Sequence, residues 1–161
     1  MGGSIIFENF AVIPEIANRN IYFPCHPMDM ITYQQLLEHA HKATKNSYAP
    51  YSRFRVGAAL LTADGEVITG CNVENASYGL SNCAERTAIF KAVSNGKREF
   101  RAIAVVSNRV NPVYPCGACR QVLREFSPNI RIVLEGKRGR PITTILSRLL
   151  PESFGPEDLA R

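Results

Sequence analysis

The order of apolar and polar residues predicts a helix followed by a hairpin in the first half of the chain. Residues 32–35 have the composition of a capping box, and an apolar stripe at helical spacing follows them until Pro50 prevents any continuation. Two strand-like segments come next, residues 54–62 and 66–72, with an Asp64-Gly65 pair between them. Because Asp-Gly favours a tight hairpin turn, these two segments are predicted to pair.

The second half of the chain alternates predicted helices and strands. A polar stretch at residues 72–82 is long for a simple connection, and such loops often carry function. The elements predicted after it are, in order, a helix that opens near Cys83 and is ended by Gly96, a strand at 102–107, a helix from Gly117 to about Phe126, a strand at 130–134 and a short helix at 143–150. This order implies a mixed sheet with helices on its faces, and right-handed crossovers would bring two helix starts together at one sheet edge.

Composition predicts one soluble domain. The chain has 161 residues, of which 45% are hydrophobic and 20% charged, and it has no apolar run long enough to span a membrane. An odd count of five cysteines is more typical of a reducing compartment, so the cytoplasm is the expected location. Residues 1–30 are interpreted as an N-terminal extension, either disordered or packed on a neighbouring surface, and residues 31–161 as the folded domain.

The formal net charge of +5 raises the question of a nucleic-acid partner. Basic residues are scattered, and their two short clusters, at residues 97–101 and 137–140, fall where polar turns are expected. No basic stripe interleaved with aromatic residues is present for stacking on single strands. No stable nucleic-acid partner is therefore expected.

Two short stretches carry the candidate chemistry, Cys83-Ala84-Glu85 and the Pro-Cys-Gly-Ala-Cys of residues 115–119. Cys83, Cys116 and Cys119 are expected to hold Zn²⁺ and to leave its fourth position open, which is the arrangement of catalytic zinc. The two stretches are too far apart for a local zinc ribbon, so the fold has to assemble the site. Cys83 and Cys116 each stand near a predicted helix start, where the helix dipole favours the thiolate that zinc requires.

Glu85 and an arginine complete the predicted centre. A carboxylate beside an open zinc site can take a proton from the attacking water and return it to the substrate, which for an aminopyrimidine means N3 and the departing ammonia. Three thiolates leave a zinc centre with net negative charge, which weakens its ability to acidify water. Arg86 and Arg120 are the candidates to offset that charge, and Arg86 is the favoured one. The predicted reaction is hydrolytic deamination.

A closed structural zinc site is the alternative to this interpretation. Cys71 would then be the obvious fourth ligand, although it also fits a small core residue at a strand end. His39 and His41 are expected to be surface or packing residues, because no partner at metal spacing accompanies them. Cys25 and His26 lie in the extension and are interpreted as incidental.

Five stretches together resemble one known family, and they are highly specific in combination. They are residues 48–61, 70–79, 83–89, 115–121 and 149–159. From about Tyr33 to Leu159 the chain resembles the small, homotetrameric, zinc-dependent cytidine deaminases. The resemblance implies a three-layer α/β fold, a mixed five-stranded sheet with helices on both faces, and a homotetramer. The extension before Ile31 is longer than this family leads us to expect.

The resemblance also implies a nucleoside-binding set around the metal. Asn72 and Glu74 would hydrogen-bond the ribose hydroxyls, and Phe54 would pack against the pyrimidine. The backbone around Ala84 would contact the polar edge of the base. Two further residues act across a subunit boundary, where Tyr78 would help close the site and Phe154 would reach the base from a neighbouring subunit.

The predicted function is conversion of cytidine and deoxycytidine to uridine and deoxyuridine with release of ammonia, as in pyrimidine salvage. Cys83 stands where deaminases of polynucleotides and deoxycytidylate have His, so the resemblance points to free nucleosides. One alternative is a deaminase of another cytosine-containing substrate, namely RNA, single-stranded DNA or a nucleoside antibiotic such as blasticidin S. Another is a non-catalytic protein that binds nucleosides or RNA and contains structural zinc.

Overall fold

A mixed five-stranded sheet forms the centre of the fold in the computed structural model, which describes residues 31–159. The strands are β1 (Val56–Thr62), β2 (Val67–Cys71), β3 (Phe100–Ser107), β4 (Arg131–Glu135) and β5 (Pro141–Ile145). Their order is β2-β1-β3-β4-β5, and β3 and β4 pair parallel while the other neighbours pair antiparallel. The expected mixed five-stranded sheet is confirmed. The predicted extension, with Cys25 and His26, lies outside the described residues.

Helices cover both faces of the sheet and make the fold three-layered. They are α1 (Tyr33–Thr44), α2 (Ala84–Ser94), α3 (Gly117–Phe126), α4 (Leu146–Leu149) and α5 (Pro156–Leu159). Successive residues of β1 point to opposite faces, so Ala58 and Leu60 pack with α2 and α3, whereas Ala59 and Leu61 pack with α1. Both faces of β1 are therefore buried.

The capping box at the start of α1 forms as predicted. The backbone N–H of Thr32 donates to Gln35 Oε1 at 2.8 Å, and the N–H of Gln35 donates to Thr32 Oγ1 at 3.2 Å. Gly57 lets this helix lie close on β1, because a Cβ at this position would come 2.0 Å from the carbonyl oxygen of Ala40. Local capping and one close backbone approach thus place α1 on the sheet.

The connections bring the starts of α2 and α3 to the same edge of the sheet. β2 and β3 run in the same direction, because each pairs antiparallel with β1 between them. α2 follows β2 and α3 follows β3, so both helices begin at the edge where those strands end. This is the juxtaposition of helix starts that the alternation of elements predicted.

One element was predicted wrongly. Residues 143–150 were expected to form a helix, but Thr143 to Ile145 complete β5, and the helix begins only at Leu146. Four β-branched residues and Pro141 of β5 pair with β4, and this pairing stabilises the strand more than a short isolated helix would be stabilised. The hairpin strands are also shorter at their outer ends than predicted. No helix among residues 31–159 is both long and apolar enough to cross a membrane.

Candidate metal centre and the pocket above it

Three cysteines meet where α2 and α3 begin. Cys83 and Cys116 are the N-cap residues of the two helices, and Cys119 lies in the first turn of α3 and is fully buried. The three Sγ atoms all lie within 4.8 Å of one another, and Cys83 Sγ and Cys116 Sγ are 3.9 Å apart. The starts of two helices, and not the ends of strands, therefore carry these thiols.

The donor set fits a tetrahedral zinc ion. A Zn–S distance of about 2.3 Å in tetrahedral geometry requires sulfurs roughly 3.8 Å apart, close to the Cys83–Cys116 separation. Within residues 31–159 no fourth His, Cys, Asp or Glu joins this group. Cys71, the predicted ligand of a closed site, instead donates its thiol to the carbonyl oxygen of Asn46 at 3.3 Å. The arrangement leaves one coordination position for a non-protein ligand, as catalytic zinc does.

Arg86 is the arginine that lies against the sulfurs. Its Nη2 is 3.7 Å from Cys83 Sγ and 3.5 Å from the carbonyl oxygen of Ser81. Arg120, the other candidate, donates instead to the carbonyl oxygens of Pro115 and Leu149. Arg120 therefore holds the backbone before α3 by hydrogen bonds, and Arg86 supplies the positive charge near the thiols.

Hydrogen bonding among the thiols separates their pKa values. The Cys119 thiol, and after it the guanidinium of Arg86, lower the pKa of Cys83 to about 5. The same contact with Cys83, followed by burial, raises the pKa of Cys119. Arg86 is therefore one of the groups that favour a thiolate at Cys83.

Glu85 lies at the floor of the pocket beside the cysteines. Its side chain is only 5% exposed, and burial, with a further contribution from the charge of Cys83, raises the pKa of Glu85 to about 7. A carboxyl group with a pKa near neutrality exchanges its proton readily at physiological pH. A surface carboxylate in a first helical turn would not have this property.

A pocket of about 530 Å³ opens above this floor. It is lined by Tyr51, Ser52, Phe54, Val56, Asn72, Glu74, Tyr78, Ser81, Asn82, Cys83, Ala84, Glu85, Val105, Val113, Tyr114 and Cys116. The lining includes most of the residues predicted to bind a nucleoside, and it contains no Lys, Arg or His. Its volume is in the usual range for small-molecule sites.

Asn72 and Glu74 line the pocket, and their side chains also hydrogen-bond backbone groups of other residues in its lining. Asn72 Nδ2 donates to the carbonyl oxygen of Phe54 at 2.8 Å, and its Oδ1 accepts from the N–H of Val56 at 2.8 Å. Glu74 accepts hydrogen bonds from the N–H groups of Tyr51 and Ser52 at 2.9 and 3.2 Å and from the Ser52 hydroxyl. The Ser52 hydroxyl is the main reason why the pKa of Glu74 is lowered. Glu74 therefore stays ionised, and each side chain keeps hydrogen-bonding capacity for a ligand.

Aromatic residues form the rim, and one predicted residue lies elsewhere. Tyr78 is 74% exposed and meets Tyr51 edge to face, with ring centroids 5.8 Å apart. Phe154 is 59% exposed, and it lies outside this pocket, where its carbonyl oxygen accepts a hydrogen bond from Gln121 Nε2. Within one chain, the pocket and the sulfur cluster at its floor bring together every predicted site residue except Phe154, and Arg86 contacts Cys83 Sγ from outside the pocket lining.

The sequence interpretation missed several wall residues, above all Val113 and Tyr114. They occupy a loop without periodicity, and their one signal is that they directly precede the Pro115-Cys116 dipeptide of the metal motif. Residues that directly precede Cys116 in the chain lie near the cysteine group, whatever their type. His41 behaves as predicted, since its Nε2 lies 2.9 Å from Glu135 Oε1 and it takes no part in the cysteine group.

Comparisons with known proteins agree with this geometry. The profile of the family described as "Cytidine and deoxycytidylate deaminase zinc-binding region" matches residues 30–135. The chain is 54% identical over 127 residues to the cytidine deaminase of Halalkalibacterium halodurans, covering 78% of this chain and 96% of that protein. It is 32% identical to the blasticidin-S deaminase of Bacillus cereus, covering 75% of this chain and 93% of that protein.

Solved structures support the same likeness. The crystal structure of cytidine deaminase from Burkholderia pseudomallei superposes with a TM-score of 0.73 at 54% identity, covering 77% of this chain and all of that chain. Cytidine deaminase from Mycobacterium tuberculosis superposes with a TM-score of 0.69 at 42% identity, covering 78% of this chain and 99% of that chain.

Proposed function

This chain belongs to the cytidine deaminase family of zinc-binding enzymes, and we propose that it hydrolyses cytidine and deoxycytidine to uridine and deoxyuridine with release of ammonia. The observation that carries this proposal is the buried carboxyl of Glu85 beside three clustered thiols at the floor of a nucleoside-sized pocket. A structural zinc site would need neither the carboxyl nor the pocket.

Cys83, Cys116 and Cys119 are the proposed zinc ligands. Zinc bound there supplies a Lewis acid that lowers the pKa of water from 15.7 toward about 7. Arg86 offsets part of the thiolate charge through its contact with Cys83, which preserves that acidity. These thiols would hold the metal at the base of the pocket, because Cys83 and Cys116 line the pocket and Cys119 is buried next to them.

Glu85 is the proposed proton carrier. It accepts one proton from the attacking water, whose oxygen adds to C4 of the base, and passes that proton to N3. It then accepts the second proton from the new C4 hydroxyl and passes it to the departing amino group. The C4–N bond breaks, ammonia leaves and the C4 carbonyl of uridine remains, so one water is consumed for each ammonia released. A pKa near 7 suits both directions of transfer, since neither form of Glu85 is strongly favoured.

The upper pocket is proposed to orient the nucleoside. Phe54 packs on the pyrimidine, and Asn72 and Glu74 contact the ribose hydroxyls with their remaining hydrogen-bonding capacity. Ala84 begins α2, so its N–H has no partner within the helix and is available to the base. Because the lining holds two carboxylates and no cationic side chain, it favours a neutral nucleoside over a nucleotide.

We propose in addition that the active enzyme is a homotetramer in which Tyr78 closes the site across a subunit boundary and Phe154 enters a neighbour's pocket. The exposure of both rings supports this arrangement. Residues 31–161 form the proposed catalytic domain and residues 1–30 an extension. A reaction that recovers free pyrimidine nucleosides fits nucleoside salvage, and the cytoplasm is the proposed location. Light scattering of the purified protein tests the assembly.

The function is tested by following the absorbance change on deamination with zinc-loaded protein. Cytidine and deoxycytidine should be turned over, whereas a cytosine-containing oligonucleotide should not. Replacing Glu85 by Gln should reduce kcat by roughly 10²–10⁴-fold with zinc content and thermal stability retained. Turnover of the oligonucleotide or of blasticidin S alone would refute the proposed substrate, and full activity of Glu85→Gln would refute the proposed role of Glu85.

A further inference from the structure

The segment that carries Phe54 into the pocket is not itself part of a strand. β1 begins only at Val56. Arg53, which directly precedes Phe54, has a left-handed φ of 54°, so the chain turns sharply there. The backbone pairing of β1 with β3 ends at Val56 and Ser107. The position of Phe54 therefore depends on contacts made beyond the end of the sheet.

Asn108 continues the β1–β3 pairing by one further step. Its backbone N–H donates to the carbonyl oxygen of Arg55 at 3.0 Å, as the next antiparallel pair requires. The return bond uses the side chain, because the N–H of Arg55 donates to Asn108 Oδ1 at 2.9 Å. Asn108 Nδ2 then donates to the carbonyl oxygen of Arg53 at 3.4 Å. The side-chain amide thus takes the place of a peptide group.

Because the Asn108 side chain replaces a peptide group in this pairing, the segment around Phe54 is held without a further residue of β3. A side-chain amide carries the same donor and acceptor as a peptide, so it satisfies the residues on both sides of Phe54. Meanwhile the backbone after Asn108 is free to leave the sheet as a loop. An aspartate could accept from Arg55 but not donate to Arg53, and an alanine could do neither.

The opposite side of the same segment is held by Asn72. Its amide donates to the carbonyl oxygen of Phe54 and accepts from the N–H of Val56, both at 2.8 Å. The N–H of Phe54 donates to Ser52 Oγ at 2.9 Å. Two asparagine amides therefore hold the peptide groups around Phe54, one from within the pocket and one from outside its lining.

Asn108 also begins the loop that supplies the adjoining wall. Val113 and Tyr114 line the pocket, and Cys116 follows them at the start of α3. The wall built by Phe54 and the wall built by this loop are thus joined at Asn108. Displacing Asn108 would change the spacing between them without touching the metal ligands.

We propose that Asn108 is a positioning residue that sets the place of Phe54 against the bound base. The inference rests on the proposed deamination of cytidine and adds a residue to it. Asn108 acts through Phe54 rather than on the substrate, because it does not line the pocket. Its loss should weaken binding of substrate and transition state alike, which raises KM and leaves kcat nearly unchanged.

The test measures steady-state kinetics with cytidine for the zinc-loaded protein and for Asn108→Ala. We expect KM to rise about fivefold, the effect of roughly one hydrogen bond, with kcat within about twofold and zinc content unchanged. The KM of Asn108→Asp should lie between those of the unmutated protein and Asn108→Ala, because the aspartate still accepts the hydrogen bond from the N–H of Arg55. Asn129→Ala is the matched control, since this exposed asparagine has no side-chain hydrogen bond within residues 31–159.

A double-mutant cycle with Phe54→Ala separates positioning from general stabilisation. If Asn108 acts through Phe54, then Asn108→Ala should change KM by less than about twofold when Phe54 is already Ala. Equal effects in both backgrounds would overturn the proposal. So would a fall in kcat accompanied by loss of zinc, because that result would assign Asn108 to the metal centre.

Hydrogen exchange provides a readout that does not depend on catalysis. In Asn108→Ala the amide of Arg55 should exchange at least about fivefold faster, while amides of α2 and α3 stay protected. Absence of turnover in the unmutated protein would refute the proposed function, yet faster exchange at Arg55 in Asn108→Ala would still show that Asn108 holds the segment around Phe54. Unchanged exchange at Arg55 would refute the positioning role of Asn108 even in an active enzyme.

Discussion

The floor and the rim of the pocket are built in different ways. The floor is held by regular structure, since its three thiols lie at the first turns of α2 and α3, and Cys119 and Glu85 are buried. The rim includes loop residues such as Tyr51 and Phe54, and side-chain amides and a carboxylate hold the peptide groups on and beside them. Packing of regular elements therefore fixes the floor, whereas the rim depends on individual side-chain hydrogen bonds.

This contrast predicts that changes at the floor abolish activity, while changes at the rim alter substrate affinity. Removal of a metal ligand should have the largest effect. Cys119→Ala should lose stoichiometric zinc and at least roughly 10³-fold in kcat, because two thiolates cannot hold a catalytic zinc ion. Metal analysis and the cytidine assay measure both.

The matched control is Cys71→Ala, whose thiol lies outside the cysteine group and donates a hydrogen bond to the Asn46 carbonyl oxygen. This variant should keep its zinc and its activity. Loss of zinc from Cys71→Ala, or its retention by Cys119→Ala, would contradict the assignment of the floor.

The next largest effect is expected where packing supports the floor. A Cβ at Gly70 would come 2.4 Å from the backbone N of Ala88 and 2.5 Å from the carbonyl oxygen of Ala84, so the first turn of α2 would have to move. Gly70→Ala should lower the free energy of unfolding by about 2–3 kcal/mol and release zinc at a lower chelator concentration. Gly79→Ala, which meets no atom within 4 Å, should do neither. Thermal unfolding with chelator titration decides between these outcomes.

Arg86 tests the electrostatics of the floor without removing a ligand. Arg86→Gln keeps a donor but loses the charge beside Cys83, so kcat should fall about 10–100-fold while zinc stays bound. KM should change little, because Arg86 is not part of the pocket lining. Exposed Arg101 provides the charge-matched control, and Arg101→Gln should retain full activity. An equal fall in both variants would indicate a general effect of net charge.

Glu74 lies on the rim and should show the smallest effect of the four. Glu74→Gln keeps one carbonyl acceptor for Tyr51 and Ser52 but loses its charge, so KM for cytidine should rise about tenfold with kcat nearly unchanged. With 2′,3′-dideoxycytidine, which lacks the hydroxyls that Glu74 is proposed to contact, the difference between variant and unmutated protein should disappear. A penalty that persists with this substrate would show that Glu74 supports the wall rather than the sugar.

Local sequence signals were sufficient for the elements that hold the floor. The capping box before α1 and the strand-helix order around the cysteines correctly predicted where α1, α2 and α3 begin. These signals work because a cap, a turn or a metal ligand at a helix start depends on residues a few positions apart. The Cys116–Cys119 pair is local in this sense, whereas Cys83 was assigned to the same group by its Cys-Ala-Glu motif and not by its distance along the chain.

Other features depended on partners far away in sequence. Residues 143–145 became a strand because β4 offered an open edge, and Arg86 rather than Arg120 met the thiols because the carbonyl oxygens of Pro115 and Leu149 engaged Arg120. The bonds of Asn108 to the segment around Phe54 likewise join residues that no local pattern connects. The sequence by itself determined which groups form the metal centre, because their types and spacing are chemically restrictive. Only the tertiary structure decided which side chains hold the walls of the pocket, because those hydrogen bonds exist only once distant segments have met.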